Sequence, residues 1–430
     1  MSADAPFDRS LVPAALLELD LEAMASEFGT PLFVYDEDEL RARCRAYREG
    51  FAPDGVAYAS KAFLCTAMAR LVDEEGLGLD VSTGGELHVA TQAGFPPERM
   101  VLHGNNKSEA ELARALELGV GRIVADSHDE LDRLEALISS GIGAGPPAVM
   151  VRVTPGVEAH THEFIETGTE SSKFGFTVSE GVALAAATRV ARSPQLRFAG
   201  LQCHIGSQIE RLDAYGRAIE IVVDLAARIQ ADTGQPVEEL NLGGGLAARY
   251  LPEDPRIEIA EYAAALRTAA TDAAQASGIE VPRLTVEPGR SIAAAAALTL
   301  YRVGTIKEIP GIGTYVAVDG GMSDNPRPVL YGAGYEVFLP ARVDEPRPLA
   351  CRVVGKHCEQ GDVIVAEGRL PAAVAVGDVL ATPATGAYGV SMASNYNKVP
   401  RPAVVFVRDG RPRLVVRRET LDDLLALDVE

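Results

Sequence analysis

Between residues 55 and 290 the chain alternates short apolar runs with longer amphipathic ones. The short runs are GVAYASK (55–61), LGLDVS (77–82), RMVLHG (99–104), GRIVAD (121–126), AVMVRVTP (148–155), RFAGLQCHIG (197–206), EELNLGGG (238–245) and RLTVEPG (283–289). Their length and apolar content predict buried strands. The stretches between them carry apolar residues at helical spacing. SEAELARALELG (108–119) opens on Ser108 and closes on Gly119, with Leu112 and Leu116 one turn apart, which predicts a capped helix. SHDELDRLEAL (127–137) repeats the plan, with Ser127 and Glu130 spaced for a capping box. Strand–helix units repeated about eight times close into a (β/α)8 barrel of TIM type when their crossovers are right-handed. An open doubly wound sheet is the rival arrangement.

Past about residue 290 the texture changes. LTLYRVGTIKEI, GTYVAVDGG, LACRVVGK, DVIVAEG, AVVFVRDG and PRLVVRRE are short, β-rich and broken by Gly and Pro, with no long helical pattern between them. They predict an antiparallel β-domain of barrel or sandwich type. A last helix is expected from Thr420 in TLDDLLAL, with Asp423 completing its cap. TPLFVYD (30–36), ahead of the barrel, is strand-like, and its pattern leaves its partner open.

A chain of 430 residues is long for one core, so two domains are expected, with 37–295 as the barrel and 1–36 plus 296–430 as the β-domain. The formal net charge of −21 argues against nucleic-acid and anionic-membrane partners. The N-terminus carries acids early and no basic stretch before an apolar core, so no signal peptide is expected. The most apolar run, SIAAAAALTLY (291–301), is too short to cross a bilayer. The cysteines Cys44, Cys65, Cys203, Cys351 and Cys358 are odd in number, which fits reduced thiols and a cytoplasmic location.

In such a barrel the chemistry sits at the carboxyl ends of the strands. The sequence puts Lys61, Asp80, His103, Asp126, Arg152, His204, Gly243–Gly245 and Glu287 there. Each has a plain reading. Lys61 snorkels its amine to water; Asp80 and Asp126 cap the following helices; the histidines are satisfied core residues. Three successive glycines between a strand and an expected helix are harder to explain as a simple turn. Their amides and a helix N-terminus would form an anion cradle. A lysine, a glutamate and a phosphate cradle around one mouth suggest pyridoxal 5'-phosphate. The amine would bind the cofactor covalently, and the carboxylate would keep its ring nitrogen protonated. Desolvation at the mouth would keep part of the Lys61 amine neutral and nucleophilic.

The ordered motifs AYASKA (57–62), LDVSTGGEL (79–87), HGNNKS (103–108), EAHTHEFIETG (158–168), SKFG (172–175), CHIGSQI (203–209), NLGGGL (241–246), EPGRS (287–291), DGGMSDNPRPVLYGA (319–333) and CEQGD (358–362) resemble those of the fold-type III pyridoxal-phosphate decarboxylases. The similarity runs from residue 30 to residue 402. It implies that the N-terminal strand joins the β-domain, and that the enzyme is a homodimer. By this resemblance Lys61 is the cofactor lysine and His204 stacks on the cofactor ring. Ser207, Gly243, Gly244 and Gly245 hold its phosphate, Glu287 meets its ring nitrogen, and Asp80 and Tyr388 are further cofactor contacts. Arg290, Arg327 and Tyr331, with Tyr388, grip the substrate carboxylate remote from the chemistry. Cys358 is an acid delivered from the other subunit, and Glu359, from the same loop, meets a substrate amine.

An arginine pair suits a second carboxylate, because each planar fork can bind both oxygens. The resemblance implies decarboxylation of meso-2,6-diaminopimelate to L-lysine and carbon dioxide, and the arginine pair agrees with a substrate that carries a second carboxylate. Decarboxylation of ornithine, arginine or a carboxylated polyamine is the nearest alternative, followed by amino acid racemisation. His160 and His162 in HTH, with His204, raise a third, a metal-dependent hydrolase, but VTPG puts a turn between the strand and the pair and HTHEFIETG matches the decarboxylase motif, so no metal site is expected. One departure is Gln360, which is bulkier than the small residue usual after the Cys-Glu pair.

Overall fold

The structure, a computed structural model, describes residues 5–157 and 172–429. The motif EAHTHEFIETG (158–168), with the histidines of HTH, lies outside the described residues. The chain divides into two units. Described residues up to Ala42, Ala248–Arg256 and those from Arg290 onward form one; Arg43–Ala247 and Ile257–Gly289 form the other. The division falls inside the helix Glu37–Phe51.

The strand preceding the barrel is β1 (Leu32–Asp36), buried along its whole length. The barrel unit is then built from β2 (Gly55–Ala59), β3 (Gly78–Val81), β4 (Met100–Leu102), β5 (Arg122–Ala125), β6 (Ala148–Thr154), β7 (Phe176–Thr177), β8 (Arg197–Gln202), β9 (Glu239–Asn241) and β10 (Arg283–Val286). All its pairings are parallel. The order β5-β4-β3-β2-β10-β9-β8-β6 is closed by pairing of β5 with β6, leaving the two-residue β7 as an appendage on β6. This is the expected eight-stranded TIM-type barrel, not an open sheet.

The helix Glu109–Leu118 has the expected capping box on Ser108 and a left-handed Gly119 after it. The second expected box is only half made. Ser127 caps the Glu130 amide of the helix His128–Ser139, but the Glu130 carboxylate turns to the buried Lys107 ammonium at 2.7 Å. A buried charge needs a partner more than an N-cap amide does.

The other unit holds β11 (Ala297–Ile309), β12 (Gly313–Val318), β13 (Leu349–Val354), β14 (Val363–Leu370), β15 (Val379–Pro383), β16 (Ala403–Arg408) and β17 (Arg411–Val416). Its sheet runs β14-β13-β12-β11-β1-β16-β17, with β15 on β11, so the N-terminal strand does join it. The sheet is mixed, a correction to the antiparallel expectation: β1–β16 and β12–β13 are parallel. Its core packs Leu32, Val34, Leu298, Leu300 and Val405 against Leu16, Leu21 and Met24 from the N-terminal segment. The expected last helix is a single 3₁₀ turn, Asp423–Leu425, although Thr420 and Asp423 do exchange side-chain-to-amide bonds. The exposed Leu421, Leu425 and Leu427 bury no apolar face, so there is nothing to prolong the helix.

Among the described residues no helix is long and apolar enough to cross a membrane. Among them, too, none of the five cysteines forms a disulfide.

Candidate active site

The carboxyl ends of β2, β3, β4, β8, β9 and β10 bring together one set of the expected residues. β2 ends at Ala59, and Lys61 follows in the 3₁₀ turn Ser60–Ala62. Its Nζ lies 3.9 Å from Oδ2 of Asp80, on β3. The Lys61 side chain is 48% exposed, so the structure does not desolvate this amine as expected from sequence. The turn lifts it off the strand into the mouth, where an adjacent carboxylate attracts its positive charge.

Glu287 follows β10 and is buried. It accepts from Asn241 Nδ2 at 2.7 Å and Gln202 Nε2 at 3.2 Å, and His103 Nε2 lies 2.6 Å from its Oε1. Burial opposes its charge, but His103, Lys61 and Asn241 overcome that and hold the carboxyl well below the usual range, at about 2. Burial pushes the Asp80 carboxyl up, against the nearby charges of His103 and Lys61. Among the described residues Asp80 Oδ1 is buried with no hydrogen-bond partner. Asp80, His103 and Glu287 offer ligand atoms within 4.8 Å of one another, the one such cluster among the described residues. Asp126 does not cap its helix. One carboxylate oxygen accepts the Gly175 amide at 2.9 Å and the other lies 3.8 Å from Arg152.

The glycine loop after β9 departs from the expected cradle. No helix begins there; the next runs Ile259–Ser277. The Gly243 amide donates to Asn241 Oδ1 at 2.9 Å, and the Gly244 amide to His204 Nδ1 at 3.3 Å. The run is required by close approach. A Cβ at Gly244 would strike the Glu287 carbonyl, and one at Gly245, whose φ is +109°, the Gly206 carbonyl. Ser207 sits on the neighbouring loop, tied to the glycine run by the Ile209 amide on the Gly245 carbonyl at 2.8 Å. His204 is half-buried. Burial, then the charges of Lys61 and Arg152, push its imidazole well below its ordinary value, so it is neutral.

In the other unit, Arg290 and Arg327 are both buried. Arg290 donates to the Tyr250 hydroxyl at 2.7 Å and lies over the Tyr388 ring at 4.8 Å. Arg327 donates to the Tyr335 hydroxyl and lies over the Tyr250 ring at 4.3 Å. Burial works against its charge, but these phenols raise its pKa further. Tyr388 has φ +63°, a costly conformation for a tyrosine. Tyr331 ends the helix Arg327–Tyr331 and is half-buried. Cys358 and Glu359 are exposed on the loop between β13 and β14, where the Cys358 amide donates to Asn397 at 3.0 Å.

Residues 37–294 match the pyridoxal-binding domain of the pyridoxal-dependent decarboxylases. The chain is 50% identical over 420 residues to diaminopimelate decarboxylase of Mycobacterium tuberculosis, covering 96% of this chain and 94% of that one. This chain belongs to the diaminopimelate decarboxylase family. The Bacillus subtilis family member is 45% identical over 415 residues, covering 96% and 94%. The crystal structure of diaminopimelate decarboxylase from M. jannaschii with L-lysine superimposes with a TM-score of 0.88 at 32% identity, over 96% of this chain and 94% of that one.

The barrel mouth fits the cofactor of this family of decarboxylases. An accessible amine, an ionised buried glutamate, a neutral imidazole and a carboxylate oxygen without a partner among the described residues are the donor and acceptor set that a pyridine aldehyde with a ring N–H needs. Sequence reasoning missed Gln202, Asn241, Tyr250 and Tyr335. The first two did leave a signal, being amides at the ends of otherwise apolar strands.

Proposed function

We propose that this chain removes carbon dioxide from meso-2,6-diaminopimelate, leaving L-lysine, with pyridoxal 5'-phosphate as cofactor. The observation that carries the reading is Glu287, kept ionised in a buried site at the same barrel mouth as the accessible Lys61. When bound, the cofactor supplies the electron sink for the pair released as the carbon–carboxylate bond breaks.

The protein's residues do the rest. Lys61 Nζ is the covalent anchor, and Asp80 orients it. Glu287 accepts the ring N–H, backed by His103, Asn241 and Gln202. The neutral His204 offers a flat apolar face, fixed through Nδ1 by the Gly244 amide. Ser207 and the loop of Gly243, Gly244 and Gly245 take the phosphate, the glycines mainly by leaving room. Arg290 and Arg327 bind the remote carboxylate with planar forks, beside Tyr331 and Tyr388. Glu359 meets the free ammonium. Cys358 Sγ holds the proton that goes to the carbon losing carbon dioxide. We also propose that the enzyme is a cytoplasmic homodimer in which Cys358 and Glu359 serve the partner's site.

The test is product analysis of cofactor-loaded protein on meso-diaminopimelate, ornithine and arginine. Stoichiometric carbon dioxide and L-lysine from the first alone support the reading. Preferred turnover of ornithine, or racemised product without carbon dioxide, defeats it.

A further inference from the structure

We propose that Asp362 is a positioning residue that clamps the Cys358–Glu359 loop to the loop of residues 320–325, which leads into Arg327. The catalytic half of this inference rests on the roles just proposed for Cys358 and Glu359.

Asp362 closes CEQGD and is only 3% exposed. Its Oδ1 accepts the Met322 amide at 2.6 Å and its Oδ2 the His357 amide at 2.8 Å. One carboxylate thus bridges two loops through backbone groups. Its own backbone closes the turn: the Asp362 carbonyl accepts from the Gly355 amide at 2.9 Å, and its amide donates to the Glu359 carbonyl at 3.1 Å. Two further bonds join the same loops. The Lys356 amide donates to the Gly320 carbonyl at 2.9 Å, and His357 Nε2 lies 2.8 Å from Ser323 Oγ.

Two glycines make space for the carboxylate. A Cβ at Gly321 would lie 2.6 Å from Oδ1, and one at Gly355 would fall onto Oδ2. An acid buried between two amides and two glycines is built for its charge and its shape together. It orders the turn while the Cys358 and Glu359 side chains stay exposed for chemistry. Asparagine has one carbonyl oxygen and would turn its NH₂ group on the second amide, leaving that donor unpaired.

Two holoenzyme variants test this, Asp362→Asn and Gly355→Ala. The second keeps the acid but pushes it aside. Each is measured for kcat on meso-diaminopimelate and for the rate at which iodoacetamide alkylates Cys358, located by peptide mass. In folded, cofactor-loaded protein both variants should lose at least about tenfold in kcat and alkylate Cys358 at least about threefold faster. Parent kcat in both overturns the proposal, whatever the alkylation rate. If Asp362→Asn does not fold, Gly355→Ala decides alone by the same readouts. A Cys358→Ala variant with parent kcat would remove the acid role of Cys358, a separate failure. The clamp would then be judged by hydrogen exchange at the 355–358 amides, which must rise in Gly355→Ala and would contradict it by staying at parent rates.

Discussion

His103 Nε2 stands 2.6 Å from Oε1 of Glu287, behind the carboxylate assigned to the cofactor nitrogen. The contact joins the ends of two strands, β4 and β10, across the barrel mouth. Removing it takes away the largest favourable influence on the charge of Glu287, while burial remains. A charge-assisted bond is worth about 1.5–3 kcal/mol, so His103→Ala should lower kcat by about 10- to 100-fold. Steady-state kinetics on cofactor-saturated enzyme checks this; unchanged kcat would leave His103 a bystander.

The glycine loop predicts a steric phenotype. Gly244→Ala sets a methyl against the Glu287 carbonyl. The loop must shift, at a cost of about 1–3 kcal/mol, and carry His204 with it. Thermal unfolding of the apo-protein should show the loss, and dialysis followed by absorbance should show weaker cofactor retention. Gly278→Ala is the contrast: it ends a surface helix with open space around it and should not affect retention.

How much of this was legible in the sequence depends on how local the cause is. The barrel was legible because each strand and helix announces itself within about ten residues, as the Ser108 box does. Parallel pairing of β1 with β16 was not, because it joins segments more than 300 residues apart. The half-made Ser127 box failed because Lys107, remote in sequence, claims Glu130. The exposure of Lys61 was misread because the strand was carried one turn too far. Tyr250 and Tyr335 come from loops with no pattern of their own, yet they cover the arginines.

Arg327 makes a prediction about selectivity. Lysine in its place keeps a charge but loses the planar fork and the stacking on Tyr250. Arg327→Lys should raise KM for meso-diaminopimelate by about 10- to 100-fold, with a smaller change in kcat. A fall in kcat at constant KM would place Arg327 at the chemistry instead.

Asp324 gives a pH dependence. Burial pushes its carboxyl up to about 7, against the bonds it accepts from Tyr301 and the Gly321 amide. Asp362 and Asp319 add to the rise. The native state therefore holds a proton that the unfolded chain releases near pH 4, by the ordinary value for aspartate. Where the folded state binds more protons, stability falls as pH rises, here from about 4 to about 7, by at most about 4 kcal/mol. Asp324→Asn should flatten that slope relative to the parent in denaturant titrations across this range. Parallel curves would refute the assignment.

The most direct measurement is borohydride reduction of the yellow holoenzyme, then digestion and peptide mass mapping. A pyridoxyl adduct on Lys61, lost together with the visible band in Lys61→Ala, is the predicted result. An adduct on any other lysine, or a Lys61→Ala protein that keeps its colour and full turnover, would contradict the account.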